Sequence, residues 1–230
     1  VGKQAIEFWT TICDKEMEIE DEEAPGPSHN FVKQGMGQLV GLLLEAMCKQ
    51  DEDEDGGYTL ANAAATCLAQ IALTVHDDVV GHVIPFIQAN IDSADWHRTE
   101  AATLAWGSVL EGPSDLALEP FMVPALEKMI SLVGTPTTAL PVRDTAAWTI
   151  ARICEHHTAS IQPQHWHVML REGSVDPSGA LIEPEGVLLM ALKDHTRVAE
   201  KVCTALYALA EQVEDERNNP SNRLSGLFVT

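Results

Sequence analysis

The residues best placed to do chemistry lie between Val142 and Glu155, where Asp144, Trp148 and Glu155 stand at offsets of 0, 4 and 11. On a helix those offsets share one face, with Ala147, Ile150 and Cys154 on the apolar face. An indole flanked by carboxylates suits a lysine or arginine, whose alkyl stem lies on the ring while its cation meets the acid. The run Asp51-Glu52-Asp53-Glu54-Asp55 adds five consecutive carboxylates. Mutual repulsion keeps such a run solvated, and its field steers a basic partner. Each exposed ion pair contributes only about 0.2–1 kcal/mol, so the run acts as a group. Glu7 and Asp14 are seven residues apart and share a face of the first helix. Together these positions predict an acidic lane crossing successive helices.

Other chemistries find little support. Asp51, Asp53 and Asp55 alternate as in a calcium loop, yet Asn62 stands at the twelfth loop position, where a bidentate glutamate is needed. The pairs His156-His157 and His165-Trp166-His167 match no zinc signature, and no Cys-x-x-Cys accompanies them. There is no glycine-rich phosphate loop and no nucleophile elbow. The expectation is a binding protein with no catalytic residues, cofactor or metal.

The charge balance agrees. The chain has 14 Lys and Arg against 35 Asp and Glu, a net charge of -21. Between Gln50 and Glu127 the only Lys or Arg is Arg98. That field repels nucleic-acid phosphates and attracts basic proteins or peptides. No apolar run approaches the ~20 residues of a membrane span, and the first residues do not read as a signal peptide. The five cysteines, Cys13, Cys48, Cys67, Cys154 and Cys203, lie mostly within apolar helical patterns. They read as free thiols of a reducing compartment.

The elements that position these residues are helices. Apolar content is 45% but aromatic content only 5%, and no strand alternation of useful length occurs. Five segments read as one recurring helix: 1–16, 59–75, 97–111, 143–157 and 195–212. Three of them place Arg98, Arg143 or Arg197 ahead of small residues (Ala101-Ala102, Ala146-Ala147, Ala199), and the second places Ala63-Ala64-Ala65 there. Another amphipathic segment precedes each of the later four: Phe31–Lys49, Asp78–Ile91, Glu119–Val133, and a split one around Pro163–Arg171 and Pro184–Leu192. Pro85 and Pro124 are expected to kink or break two of these. Two helices per ~40 residues is the HEAT/armadillo period. The reading is all-α: an α-solenoid of about four to five HEAT repeats, one array over 1–230, truncated at both ends. An acidic linker, 18–30, and an acidic loop, 50–57, interrupt it. Trp9, Trp96, Trp106 and Trp166 are expected in the core, with Trp148 as the exception.

Several stretches then resemble the importin-beta family: Ala5–Trp9, Cys13–Met17, His82–Ile87, Asp95-Trp96, Leu110–Pro113 and Val142–Glu155. Their order and spacing fit the middle of that family's HEAT solenoid, and the acidic loop falls between the second and third. The resemblance implies a nuclear import receptor that binds the basic segment of the adaptor importin alpha, or basic cargo directly. It implies cargo release by the GTP form of Ran, docking of Phe-Gly nucleoporins, and a monomer moving between cytoplasm and nucleus through the nuclear pore. Carried onto this chain, Asp51, Glu52, Asp53, Glu54 and Asp55 correspond to the acidic loop that meets cargo and Ran. Asp14 and Glu16 correspond to acidic inner-surface positions, and Asp144 and Trp148 to the Arg-Asp-Thr-Ala-Ala-Trp motif. Gly56-Gly57-Tyr58 follows the acidic run where relatives carry Asp-Trp-Asn-Pro, and Thr204 stands where they carry a tryptophan. The alternative is another HEAT-repeat scaffold, such as a phosphatase or complex-assembly subunit.

Overall fold

The computed structural model describes residues 2–21, 26–50, 59–171, 174–175, 181–182 and 186–218. The acidic run 51–55 and part of the acidic linker lie outside them. The residues group into two compact units, 1–120 and 121–230.

In the first unit, α1 (Gly2–Glu20), α2 (Phe31–Met47), α3 (Leu60–Val75), α4 (Val80–Asn90) and α5 (Trp96–Ser108) form two rows. Helix α3 packs against α1 and α5, α2 against α4, and α2/α3 and α4/α5 pair across the rows. The reason is written in α3: Ala61, Ala63, Ala64, Ala65, Cys67, Leu68, Ile71, Ala72 and Val75 are all buried. Alanines cover most of its circumference, so helices approach from several sides with little side-chain bulk between them. Leu43, Met47, Leu68, Ile71, Trp106 and Leu110 are among the largest buried side chains of this core. A short 3-10 turn, His76–Val79, leads from α3 into α4.

Helix α6 (Asp115–Gly134) runs from the first unit into the second. The second unit contains α7 (Leu140–His156), α8 (Pro163–Leu170), α9 (Val187–Ala191) and α10 (Thr196–Asn218). Helix α10 packs on α7 and α9, and α9 on α8. Met122, Leu126, Met129, Ile150 and Ile153 are fully buried here. Strands β1 (Ser174–Val175) and β2 (Leu181–Ile182) form a two-residue antiparallel ladder, too short for alternation to announce itself. The split segment of the sequence reading corresponds to α8 and α9.

The five recurring helices of the sequence are α1, α3, α5, α7 and α10, each within a few residues of its expected span. The prolines do not break their helices. Helix α4 continues through Pro85, and α6 through Pro120 and Pro124. Four residues before Pro85 stands Gly81, an exposed glycine with open space where a Cβ would be, so no side chain there crowds the proline ring. Of the tryptophans, Trp106 and Trp166 are buried at 1% and 6% exposure, whereas Trp9 and Trp96 are half-buried. The Trp9 indole lies over Gly35 of α2, where an added Cβ would sit 3.2 Å from the ring. Cys13, Cys67 and Cys154 are buried thiols, and burial pushes Cys154 up to about 12; Cys203 is exposed.

Two glycines separate strain from permissiveness. Gly112 has φ +109, and an added Cβ would lie 2.3 Å from the Ala72 carbonyl oxygen. Gly41 is an exposed interior position of α2 with open space around it. Gly112→Ala should therefore cost about 1–3 kcal/mol, while Gly41→Ala should stabilise by about 0.5–1 kcal/mol through helix propensity. Thermal unfolding of both variants checks this: the midpoint should fall for the first and rise by a few degrees for the second.

Candidate functional site

Helix α7 begins without a side-chain cap; Pro141 occupies its first turn, where a missing N–H costs nothing. It buries Val142, Ala146, Ala147, Ile150, Ile153 and Cys154. Thr149 Oγ1 donates to the Thr145 carbonyl at 2.9 Å, keeping a buried hydroxyl satisfied. What remains outward is a narrow stripe with Trp148 and Arg152 half-buried and Glu155 exposed.

Asp144 does not join that stripe as expected. It is 8% exposed, and Arg197 of α10 donates to its Oδ2 at 2.7 Å. A second contact of the same kind joins the residue before Asp144 to Asp194, three residues before Arg197 and just ahead of α10. Arg143 grips Asp194 with both ends of its fork, Nε to Oδ2 at 2.8 Å and Nη2 to Oδ1 at 2.9 Å. Asp194 Oδ1 also accepts from the His195 N–H at 2.6 Å, just ahead of α10. The Arg143 guanidinium holds the Asp194 carboxyl below the usual carboxylate range, helped by the His195 amide. Asp144 is thus a strut between α7 and α10. A contact residue must be reachable, and its Oδ1 is buried without a hydrogen-bond partner among the described residues. Helix α5 uses its arginine likewise, as Arg98 Nη1 donates to Asn90 Oδ1 at 3.0 Å. The arginines that marked the repeat are tertiary fasteners.

Glu16 is the second correction. Glu7 and Asp14 are both exposed on α1, but Glu16 is only 6% exposed. It lies nine residues from Glu7, about two and a half turns away and so on the opposite side. Its carboxylate accepts from the Phe31 N–H at 2.6 Å and the Val32 N–H at 3.3 Å. Asn30, the residue before α2, has φ 53 and makes no side-chain cap bond. Glu16 therefore caps α2 from 15 residues upstream, where the helix dipole favours a negative charge. The acidic lane is also interrupted, because α3, packed on α1, carries no carboxylate. The acidic-loop residues Asp51, Glu52, Asp53, Glu54 and Asp55 lie outside the described residues.

Sequence reasoning missed part of the outward surface of the second unit. On α10, Val198, Val202, Ala205 and Leu209 are buried, and Glu200, Thr204, Tyr207 and Glu211 repeat the same spacing on the exposed side. Tyr207 is 64% exposed, and its hydroxyl donates to Glu211 Oε1 at 2.6 Å. The signal was available: an aromatic seven residues after Glu200 and four before Glu211 shares their face. Glu155 lies beside His156, 3.8 Å from its Nε2. His165 Nδ1 accepts from the Gln162 N–H at 3.2 Å in a capping box for α8, and no group of His, Cys, Asp or Glu among the described residues is arranged to hold a metal.

The Arg143–Asp194 pair is the strut most open to test. A carboxylate held below its ordinary range adds stability above about pH 4, and that stability is lost as pH falls through the folded-state value. Arg143→Met should cost about 1–3 kcal/mol at pH 7, because it removes a two-point charged hydrogen bond. Urea titrations of both proteins at pH 7 and pH 3 should show the difference shrinking at the lower pH. An equal difference at both would contradict the pairing.

No protein-family model matches the chain. It is 40% identical over 240 residues to importin subunit beta-1 of Arabidopsis thaliana, covering 99% of this chain and 26% of that protein. Among solved structures, the Kap95:Nup1 complex superposes with a TM-score of 0.80 at 28% identity, over 95% of this chain and 24% of that one. Kap95p bound to RanGDP, whose switch loops it induces to adopt the GTP-bound conformation, gives a TM-score of 0.78 at 29% identity over 91% of this chain and 23% of that one. The chain spans about a quarter of the length of the relatives it matches. The helix pairs are those of an all-α HEAT-repeat solenoid, and the chain belongs to the importin-beta family.

Proposed function

We propose that this chain is a segment of a nuclear import receptor that binds basic protein segments, either the basic region of an importin-alpha adaptor or a nuclear localisation signal of cargo. The observation that carries the reading is the outward pairing of Trp148 with Glu155 on α7, in a chain of net charge -21. An indole accepts the stem of a lysine or arginine, and Glu155, the carboxylate left outward on this stripe, takes its charge. Glu7 and Asp14 supply exposed carboxylates in the first unit. The run Asp51–Asp55 serves as the tether that raises the encounter rate and is the segment through which Ran would act on cargo.

The solved relatives are consistent with this reading. Kap95 is known in complex with Nup1 and with RanGDP. For this chain the corresponding partners are Ran, whose GTP form releases the basic segment, and Phe-Gly nucleoporins, which carry the receptor between cytoplasm and nucleus as a monomer. Binding rather than catalysis is the activity proposed, and no cofactor is required for it.

The test is fluorescence anisotropy with a labelled Lys/Arg-rich importin-beta-binding peptide, at low and moderate salt. Affinity should fall with salt, and neutralising Asp51–Asp55 should flatten that dependence. Trp148→Ala should weaken binding about tenfold, the equivalent of about 1.4 kcal/mol for an aromatic anchor. Ran loaded with GTP should displace the peptide. Salt-independent affinity, or a Trp148→Ala variant equal to the parent, would overturn the reading.

A further inference from the structure

The connection between α6 and α7 carries a pattern that neither the packing nor the proposed binding uses. Of the chain's 12 prolines, only Pro136 follows a serine or threonine. We infer that Thr135 is a phosphorylation site for a proline-directed protein kinase, and that its phosphate draws Arg143 from Asp194 and loosens α7 from α10.

The setting suits a kinase. Helix α6 ends at Gly134 and α7 begins at Leu140, so Thr135 lies outside both. Gly134, Thr135, Pro136 and Thr137 are exposed in succession. The proline disfavours helical backbone at Thr135 and favours the extended form that a kinase cleft takes. Pro136 also brings no N–H to be buried there, which is what a proline-directed cleft selects. The Thr135 hydroxyl donates to the Ser131 carbonyl at 2.7 Å, an exposed bond that water can replace.

Arg143 is placed to respond to the modification. Its Nη1 donates to the Thr138 carbonyl and, at 3.5 Å, to the carbonyl of Pro136, the neighbour of Thr135. Its Nε and Nη2 hold Asp194. One guanidinium thus ties the α6–α7 connection to the residue ahead of α10. In the transfer, Thr135 Oγ1 attacks the γ-phosphorus of ATP. A new O–P bond forms, the bond to the β,γ-bridging oxygen breaks, ADP leaves, and the hydroxyl proton passes to the kinase's base. The threonine gains a charge of about -1.5 to -2 and three strong acceptor oxygens. These outcompete two neutral carbonyls for the arginine and repel the Asp194 carboxylate that shares it. The phosphate also stands just past the C-terminal end of α6, where the helix dipole disfavours negative charge. Little room exists to relieve this by a shift toward α9, because an added Cβ at Gly134 would already lie 3.3 Å from Val187.

The test treats the full chain with a purified mitogen-activated protein kinase and Mg·ATP, beside a peptide spanning residues 129–141 and a standard Ser-Pro substrate. Mass spectrometry should place one phosphate on Thr135 of the chain, and none there in Thr135→Ala or Pro136→Ala. Phosphorylation should lower the thermal midpoint by about 2–4 °C and quicken amide exchange in α10. In Arg143→Met that fall should largely vanish, because the strut is already gone; Asp194→Asn gives the same check should Arg143→Met fail to fold. Modification of the peptide but not of the folded chain refutes the site. So does a peptide left unmodified while the standard substrate reacts. A phosphorylated chain with an unchanged midpoint, or with the same fall in the strut variants, refutes the action through Arg143.

Discussion

Close packing of alanine-rich helices is the constraint on which the rest of this structure depends. A single helix here cannot bury its apolar side alone. Ala63, Ala64 and Ala65 in α3, Ala101, Ala102 and Ala105 in α5, and Ala146, Ala147 and Ala151 in α7 are all essentially buried. Small side chains bring helix axes near one another, and near approach leaves little outward surface on each recurring helix. In α7 only a thin stripe remains outside, and it falls on Trp148, Arg152 and Glu155. The face proposed for binding is thus the remainder left after packing has been satisfied.

The same closeness decides the fate of the charges. Helices that approach this tightly bring their first turns within reach of one another, and arginines placed there find carboxylates on the neighbour. Arg143 with Asp194 and Arg197 with Asp144 form a crossed pair between α7 and α10. Each carboxylate committed to such a strut, or to capping as Glu16 is, is withdrawn from recognition. A net charge of -21 therefore overstates the number of acids available to a partner. The accessible ones are those at the centre of exposed stripes, such as Glu7, Asp14, Glu155, Glu200 and Glu211.

Recognition of a basic segment by such a surface is distributed. Single exposed ion pairs contribute little, and aromatic platforms supply the localised part of the affinity. A half-buried Trp148 has its ring held in place by packing, so little entropy is lost when a side chain stacks on it.

The sequence by itself determined the helices and their pairing. Period, alanine placement and recurring arginines located α1, α3, α5, α7 and α10, because local apolar periodicity is a property of each segment alone. It also determined the net charge, but Trp148, expected as the exception among the tryptophans, is half-buried as Trp9 and Trp96 are. Only the tertiary structure decided which acids face outward. Asp144 and Trp148 share a face on any isolated helix, and nothing in α7 reveals that an arginine 53 residues onward will take the carboxylate. Glu16 and the uncapped start of α2 are joined only once the chain turns back on itself. Helices α4 and α6 also continue through Pro85 and Pro124, which the local sequence left open. Periodicity tells which side of a helix faces the core; the partner of each polar group depends on contacts distant in sequence, which one-dimensional spacing does not encode.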